Sequence, residues 1–298
     1  MSYAQELRAQ LAIPVIASPL FIISNPKLVA EQWLSQLTTE LAQYQAAHPE
    51  IKVAPFAVNQ IVHHSNDRLQ HDLDMCAKYK VPIMITSLRA PHEAVEAAHS
   101  YGGKVFHDVI SVRHAEKAIE AGVDGLILVC AGAGGHAGTL SPFALVSEVR
   151  KIYDGPIILS GSISRGEQIL AAEAMGADFA YMGTRFIATH EANADAAYKQ
   201  MIVDSNAKDV VYSNLFTGVH GNYLRGSIEQ SGLDPNALPE ADKSSMSFGS
   251  GGSSKSKAWR DIWGAGQGVG SIGEVTSTAA VIDELKRDYQ AARARLLG

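Results

Sequence analysis

Cysteine is nearly missing from this chain: Cys76 and Cys130 are the two present in 298 residues, too few for a disulfide framework. No apolar run reaches the ~18 residues of a membrane span. Positive charge is not in excess either. Against 31 acidic side chains stand 25 Lys and Arg, for a net charge of −6. Without a basic face, neither nucleic acid nor an anionic membrane is an expected partner. Met1–Ala12 carries Glu6, Arg8 and two glutamines and has no apolar signal core, so the cytoplasm is the expected location. No metal site is expected. His63 and His64 are adjacent and would point to opposite faces of a strand, and His136 has no Cys, Asp or Glu at ligand spacing in its loop. Gly-x-Ser-x-Gly is absent, and no Gly-x-Gly-x-x-Gly follows the first strand, which removes the dinucleotide fingerprint.

What the chain does have is alternation. The strand candidates are Val15–Ser18, Val53–Val58, Pro82–Thr86, Lys104–Asp108, Gly125–Val129, Pro156–Ser160 and Phe179–Met182. Several are continuously apolar, as strands covered on both faces must be. Helical periods lie between them: Leu34, Leu37, Leu41 and Tyr44, then Leu69, Leu73 and Cys76, then Ala94, Val95, Ala98 and Tyr101. Asn25-Pro26 and Ser141-Pro142 place a cap before a first-turn proline. Ser164 and Glu167 have capping-box spacing. Such repeated units imply a parallel sheet, either a barrel or a doubly wound layer. An eight-stranded (β/α) TIM barrel needs one strand more than the seven counted. The starts at Val15 and Val53 are 38 residues apart, against 21 to 31 for later neighbours. The missing βα piece is therefore placed near residues 21–33.

After Met182 the repeat stops. Asn193–Val203 reads as a helix and Val210–Thr217 as a β-like patch. Lys243–Lys257 is dominated by Ser, Gly and Lys, the composition of a mobile loop or linker. Trp259 and Trp263 re-anchor the chain. A final amphipathic helix carries Val275, Ala279, Ile282, Leu285 and Tyr289 on one face, its charges forming a solvated outer side. The expected division is a barrel over 1–190, with helix 274–298 packing back on it, and a smaller covering segment over 191–273.

Chemistry concentrates where strands end. Val129–Leu140 sets Gly132, Gly134, Gly135 and Gly138 around His136, a loop that lets a flat ligand approach the main chain beside a group that titrates near neutrality. A flexible turn with an incidental histidine is the plainer alternative. Ser160-Gly161-Ser162 and Gly183-Thr184-Arg185-Phe186 leave the last two strands, the loops that in a barrel commonly bind a phosphate. Cys130 near His136 leaves room for a thiol–imidazole pair, and Cys76 reads as a buried thiol.

Ala17-Ser18-Pro19-Leu20, Gly134-Gly135-His136-Ala137-Gly138, Ser160-Gly161-Ser162, Gly183-Thr184-Arg185-Phe186 and Trp263-Gly264-Ala265-Gly266-Gln267-Gly268 together resemble the nitronate monooxygenases, formerly 2-nitropropane dioxygenases. The resemblance implies a TIM barrel binding FMN at the strand C-termini under a smaller covering segment. It implies that Ser18, Pro19 and Leu20 lie along the isoalloxazine, with Asn59 and Asp108 at neighbouring strand ends. Gly135 and Gly138 would admit the flavin. Ser160, Gly161, Gly183 and Thr184 would hold its phosphate, and Gln267 and Gly268 would close the pocket. His136 matches the catalytic histidine, a base on nitroalkanes or a neighbour of a bound nitronate. The implied reaction is oxidation of nitronates or nitroalkanes with O₂ to a carbonyl compound and nitrite. An NAD(P)H-dependent reductase of quinones or enoyl thioesters is the first alternative, and a non-catalytic variant the second. An oligomer is compatible with the sequence. One departure stands out: Leu28-Val29-Ala30-Glu31-Gln32 runs straight into Trp33-Leu34, where relatives carry a further βα piece.

Overall fold

The fold is that of a computed structural model, which describes residues 1–20, 30–241 and 262–297. Seven parallel strands form one sheet: β1 (Val15–Ala17), β2 (Ala57–Val62), β3 (Ile83–Leu88), β4 (Lys104–Val109), β5 (Gly125–Val129), β7 (Ile157–Ser160) and β8 (Phe179–Met182). The two-residue β6 (Gly135–His136) lies in the loop after β5. Across the sheet the order is β1-β8-β7-β5-β4-β3-β2. Pairing is nearest-neighbour throughout, except that β1 joins β8, with Ala17 opposite Met182. Between the strands come the helices α2 (Ala30–Ala47), α3 (Leu69–Lys78), α4 (His92–His99), α5 (Val112–Glu120), α6 (Pro142–Arg150) and α7 (Gly166–Ala174). This is the βα repeat of a TIM barrel, with its wall open between β1 and β2 among the described residues. The stretch assigned to the missing strand lies mostly outside those residues. So do the Asn25-Pro26 cap, Lys243–Lys257 and Trp259.

Side chains alternate between two cores, as strand geometry requires. Ile83, Ile85, Phe106, Ile127, Val129, Ile158, Phe179 and Tyr181 fill the barrel interior. Helix α1 (Tyr3–Arg8), capped by Ser2, plugs its lower end with Ala4 and Leu7. Met84, Val105, Leu126, Leu128, Leu159 and Ala180 face outward into the helices with Leu73, Cys76, Ala94 and Ala98. Asp124 and Asp178, each at the foot of a strand, accept main-chain N–H groups of Val105 (2.9 Å) and Ile157 (2.8 Å) and so fix the register of adjacent units.

The strand expected at Val53–Val58 starts four residues later. Proline at position 55 has no N–H to give a ladder, and pairing with β3 begins at Ala57 opposite Ile83. The helix predicted from Asn193 begins at Ala196 behind the Asp195 cap, whose carboxylate accepts from Ala197 N at 2.8 Å; it is α9 (Ala196–Asp204). The β-like patch at Val210–Thr217 is strand only as far as Ser213. That strand, β9 (Val210–Ser213), pairs antiparallel with β10 (Gly221–Leu224), and β10 pairs with β6. Behind β8 and β10 come the short α8 (Thr184–Ile187) and α10 (Arg225–Gln230).

The last helix, α11 (Thr278–Leu297), buries Val281, Leu285, Tyr289 and Ala292. Ala279 is exposed and Val275 precedes the helix. Nor are its charges merely solvated: Glu284 pairs with Arg185 and Asp288 with Arg165. Gly166 at the start of α7 lies flat against the α11 main chain at Leu285 and Tyr289, where no Cβ would fit. The cap of α7 also sits one residue later than predicted. Gln168 Oε1 accepts from both Ser164 N (2.7 Å) and Arg165 N (3.1 Å), which displaces Glu167 from that role.

Candidate active site

The loops after β5, β7 and β8 meet one stretch of the tail. Gly132 O accepts from Ser162 N (3.3 Å) and from Gln267 N (2.9 Å). Thr184 Oγ1 accepts from Gly266 N at 2.9 Å. A Cβ on Gly268 would lie 3.1 Å from Ser162 O, and one on Gly134 would lie 2.7 Å from Gly266 N. Gly161, Ser162, Thr184, Gln267 and Gly268 are thus neighbours at the upper rim. At Gly161 the turn takes φ +136° and Ala131 O would stand 2.9 Å from any Cβ, so only glycine fits. Ser162, a non-glycine at φ +57°, keeps a left-handed conformation in the same turn.

From the other side β1 delivers Ser18, whose N–H donates to Met182 O at 2.9 Å and whose Oγ packs over Gly183. Leu20 rests on the same glycine and on the tail core of Ile187, Ala265 and Val269. Pro19 is exposed. Gly138 N donates to Val129 O at 3.1 Å and folds the loop back on β5. Asn59 lies apart from this rim. It is on β2 at the free end of the sheet, half-buried opposite Ile85.

His136 sits where β6 pairs with Gly221 of β10. Its Nε2 lies 2.9 Å from Thr217 Oγ1. That hydroxyl donates to Val219 O (2.9 Å) and accepts from Val219 N (3.1 Å). Burial alone pushes the imidazole down to about 4, so it is neutral at physiological pH. Asn222 Nδ2 donates to Ala133 O at 2.6 Å, and Tyr198 OH donates to Gly264 O. Between them they tie the histidine loop and the tail together.

Thr217, Asn222 and Tyr198 escaped the sequence reading, because each lies far along the chain from the group it holds. Tyr181 escaped it too, though it stands two residues after Phe179 on β8 and so shares its inward face. Cys130 is buried among the helix-facing core, and burial pushes its thiol up to about 12. It is a protonated core thiol, and the thiol–imidazole idea is set aside. Cys76 is likewise buried and pushed up to about 11.

The rim suits a flat, phosphate-bearing group on two observations. A Cβ at Gly135 would meet nothing within 4 Å, so that glycine faces open space. Among the described residues, Asp108 Oδ1 and Tyr181 OH are buried without a hydrogen-bond partner, a cost of about 1–3 kcal/mol each that a polar ligand would relieve. Among the described residues no cluster of three His, Cys, Asp or Glu side chains could hold a metal ion.

A β/α barrel with glycine-rich strand-end loops gathered around a buried imidazole is an enzyme-type barrel with its reactive face at the strand C-termini. The family model described as nitronate monooxygenase matches residues 31–288, and the chain belongs to that family of flavin-dependent oxidoreductases. A nitronate monooxygenase of Paraburkholderia phytofirmans is 27% identical over 220 residues, covering 70% of this chain and 57% of the relative. A (3aS,4S,5R,7aS)-5-hydroxy-7a-methyl-1-oxo-octahydro-1H-indene-4-carboxyl-CoA dehydrogenase of Rhodococcus jostii is 25% identical over 233 residues, covering 74% and 65%. The nitroalkane oxidase structure from Streptomyces ansochromogenes shares the fold, with TM-score 0.71 at 20% identity over 97% of this chain and 99% of that one. The chain spans about half to two thirds of the length of the curated relatives it matches.

Proposed function

We propose that this chain binds FMN across the rim and uses it to oxidise alkyl nitronates with O₂ to the carbonyl compound and nitrite. The phosphate would rest on Ser160, Gly161, Gly183 and Thr184. The ring would lie between Ser18-Pro19-Leu20 and the Gly135–Gly138 loop, with Asp108 below and Gln267-Gly268 closing the edge. Residues 191–273 would act as the cover, since β9, β10 and the tail are what hold the histidine loop in place. When bound, the flavin supplies electron acceptance and reaction with O₂.

The single observation that carries the choice of substrate is the family match over residues 31–288, and the state of His136 agrees with it. A base is most effective when its pKa lies near the operating pH, and an imidazole pushed down to about 4 is a weak acceptor for the carbon-bound proton of a neutral nitroalkane. A nitronate has already lost that proton. Its negative charge in turn favours the protonated imidazole, so His136 would hold the anion by a charge-assisted hydrogen bond. Purified protein incubated with FMN is therefore expected to turn yellow and to consume O₂ with propyl-2-nitronate well above the rate with 2-nitropropane. His136→Ala should lower kcat/KM for the nitronate by about 10²-fold, about the value of a charge-assisted contact. Equal rates for both substrates, or an unaffected variant, would overturn this assignment.

The relationship to the Rhodococcus dehydrogenase favours a second reading, reduction or oxidation of a coenzyme A thioester on the same flavin. Anaerobic bleaching of the bound flavin by NADPH without nitronate would select it. A protein that stays colourless with FMN would mark a non-catalytic descendant.

A further inference from the structure

We propose that Asp108 and Tyr181 form a paired hydrogen-bond-donating floor under the flavin ring, positioning it and favouring its reduced form. This rests on the flavin reading above and adds to it a residue, Tyr181, that no motif marks. In the sheet, β5 and β7 separate β4 from β8, so the two side chains approach each other across the lumen. The register runs from Asp108 through Ile127 and Ile158 to Phe179, and Tyr181, two residues on, shares that inward face; the Asp108 carboxylate helps to hold its phenol well above the ordinary value.

Around them the interior is apolar, made of Ile85, Phe106, Ile127, Ile158 and Phe179. Asp108 Oδ1 and Tyr181 OH nevertheless end there with no partner among the described residues. Two buried polar atoms in an apolar interior are costly to leave unsatisfied, and each supplies one O–H when protonated. Burial is the whole cause of the rise of the Asp108 carboxyl to about 7. Tyr181 is the titratable group that faces it, and no charged side chain of β3, β5, β6, β7 or β8 contributes. The protonated carboxyl is thus readily held at neutral pH. The open direction is the rim, since α1 plugs the other end, and Asp108 itself is only half-buried. A flavin ring presents carbonyl oxygens and ring nitrogens as acceptors there, and donors fixed beneath it stabilise the charge that arrives with electrons.

The test is the midpoint potential of FMN-loaded wild type, Tyr181→Phe, Asp108→Leu and Asp108→Asn, with the melting temperature of the apoproteins from pH 4 to 8. Tyr181→Phe and Asp108→Leu should each shift the reduced-to-oxidised ratio at fixed potential about tenfold toward oxidised, the worth of one hydrogen bond. Asp108→Asn keeps an N–H donor and cannot titrate. It should hold the wild-type potential, while its apoprotein loses the fall in stability that wild type, relative to the variant, shows between pH 4 and 7. Unshifted potentials in Tyr181→Phe and Asp108→Leu, or matching melting profiles for wild type and Asp108→Asn, would overturn the pair. Shifted potentials without nitronate turnover would uphold the pair and defeat the nitronate assignment. Turnover with unshifted potentials would do the reverse, and failure of FMN to bind would sink both.

Discussion

His136, His107 and Asp108 carry the largest shifts among the groups that titrate between pH 4 and 7, and their signs can be worked out one residue at a time. Burial pushes His136 and His107 down to about 4 each. The unfolded chain therefore binds protons that the folded chain refuses between pH 6.5 and 4, and stability falls as pH drops through that window. Asp108 has the opposite sign. Its carboxyl is raised to about 7, so its contribution is fully present below pH 4 and is lost as pH rises toward 7, by at most about 4 kcal/mol. Two histidines against one carboxyl leave a net rise with pH up to about 6.5, then a shallow fall. Melting temperatures of the apoprotein from pH 4 to 8 should peak close to pH 6.5. His107→Gln should flatten the acid side, since its ring bonds Thr86 Oγ1 at 2.8 Å and glutamine supplies the same contact without a charge.

At the scale of elements, the fastening of α11 is set by unequal ion pairs. The Arg185 side chain is 5% exposed and its partner Glu284 is 37% exposed. Arg165 is 39% exposed against Asp288. Glu284→Ala would strand a nearly buried guanidinium, whose Nη1 has no partner among the described residues, and should cost about 2 kcal/mol. Asp288→Ala should cost under about 1 kcal/mol, as exposed pairs do. Urea midpoints of the two variants check the contrast. Element identity was legible wherever a run is buried on both faces. β5 and β8 fall on the predicted residues because every position in them is covered, and apolar continuity is then the whole signal. The prediction slipped at β2, where the run from Val53 is apolar but the partner edge is not there until Ala57. The loops of the site were legible because glycine is demanded by geometry, at Gly161 above all. Thr217 and Asn222 were not, since a hydrogen bond to His136 or Ala133 across most of the chain leaves no local pattern. The solvated face assigned to α11 was misread for the same reason. The sequence shows Glu284 and Asp288 but not the arginines that reach them.

For the whole molecule, ligand and fold are coupled. The rim is built from loops after β5, β7 and β8 and from a tail that returns from beyond residue 262, so one ligand would tie together segments from both ends of the chain. If FMN binds the native state alone, a hundredfold excess over its dissociation constant adds about 2.7 kcal/mol. Calorimetry with and without FMN should show that increment, and Gly161→Val should abolish it by filling the turn. The outer strands tell of the open wall. β5 is buried at every residue, whereas β1 has none buried and β2 only Gln60 and Val62. Helix α2 beside them leaves Trp33 and Tyr44 about half exposed.

The join of β1 to β8 has a further consequence, for the order in which the chain becomes native. Among the described residues β1 has one strand to lie against, and its partner Met182 is made long after it. On a ribosome adding 5–20 residues per second, the first strand would wait roughly 10–30 s for its seat. During that wait the later βα units can zip up in sequence from β2 to β8, each on its predecessor. β1 would then be the last of these strands to dock, and that step completes the flavin wall at Ser18.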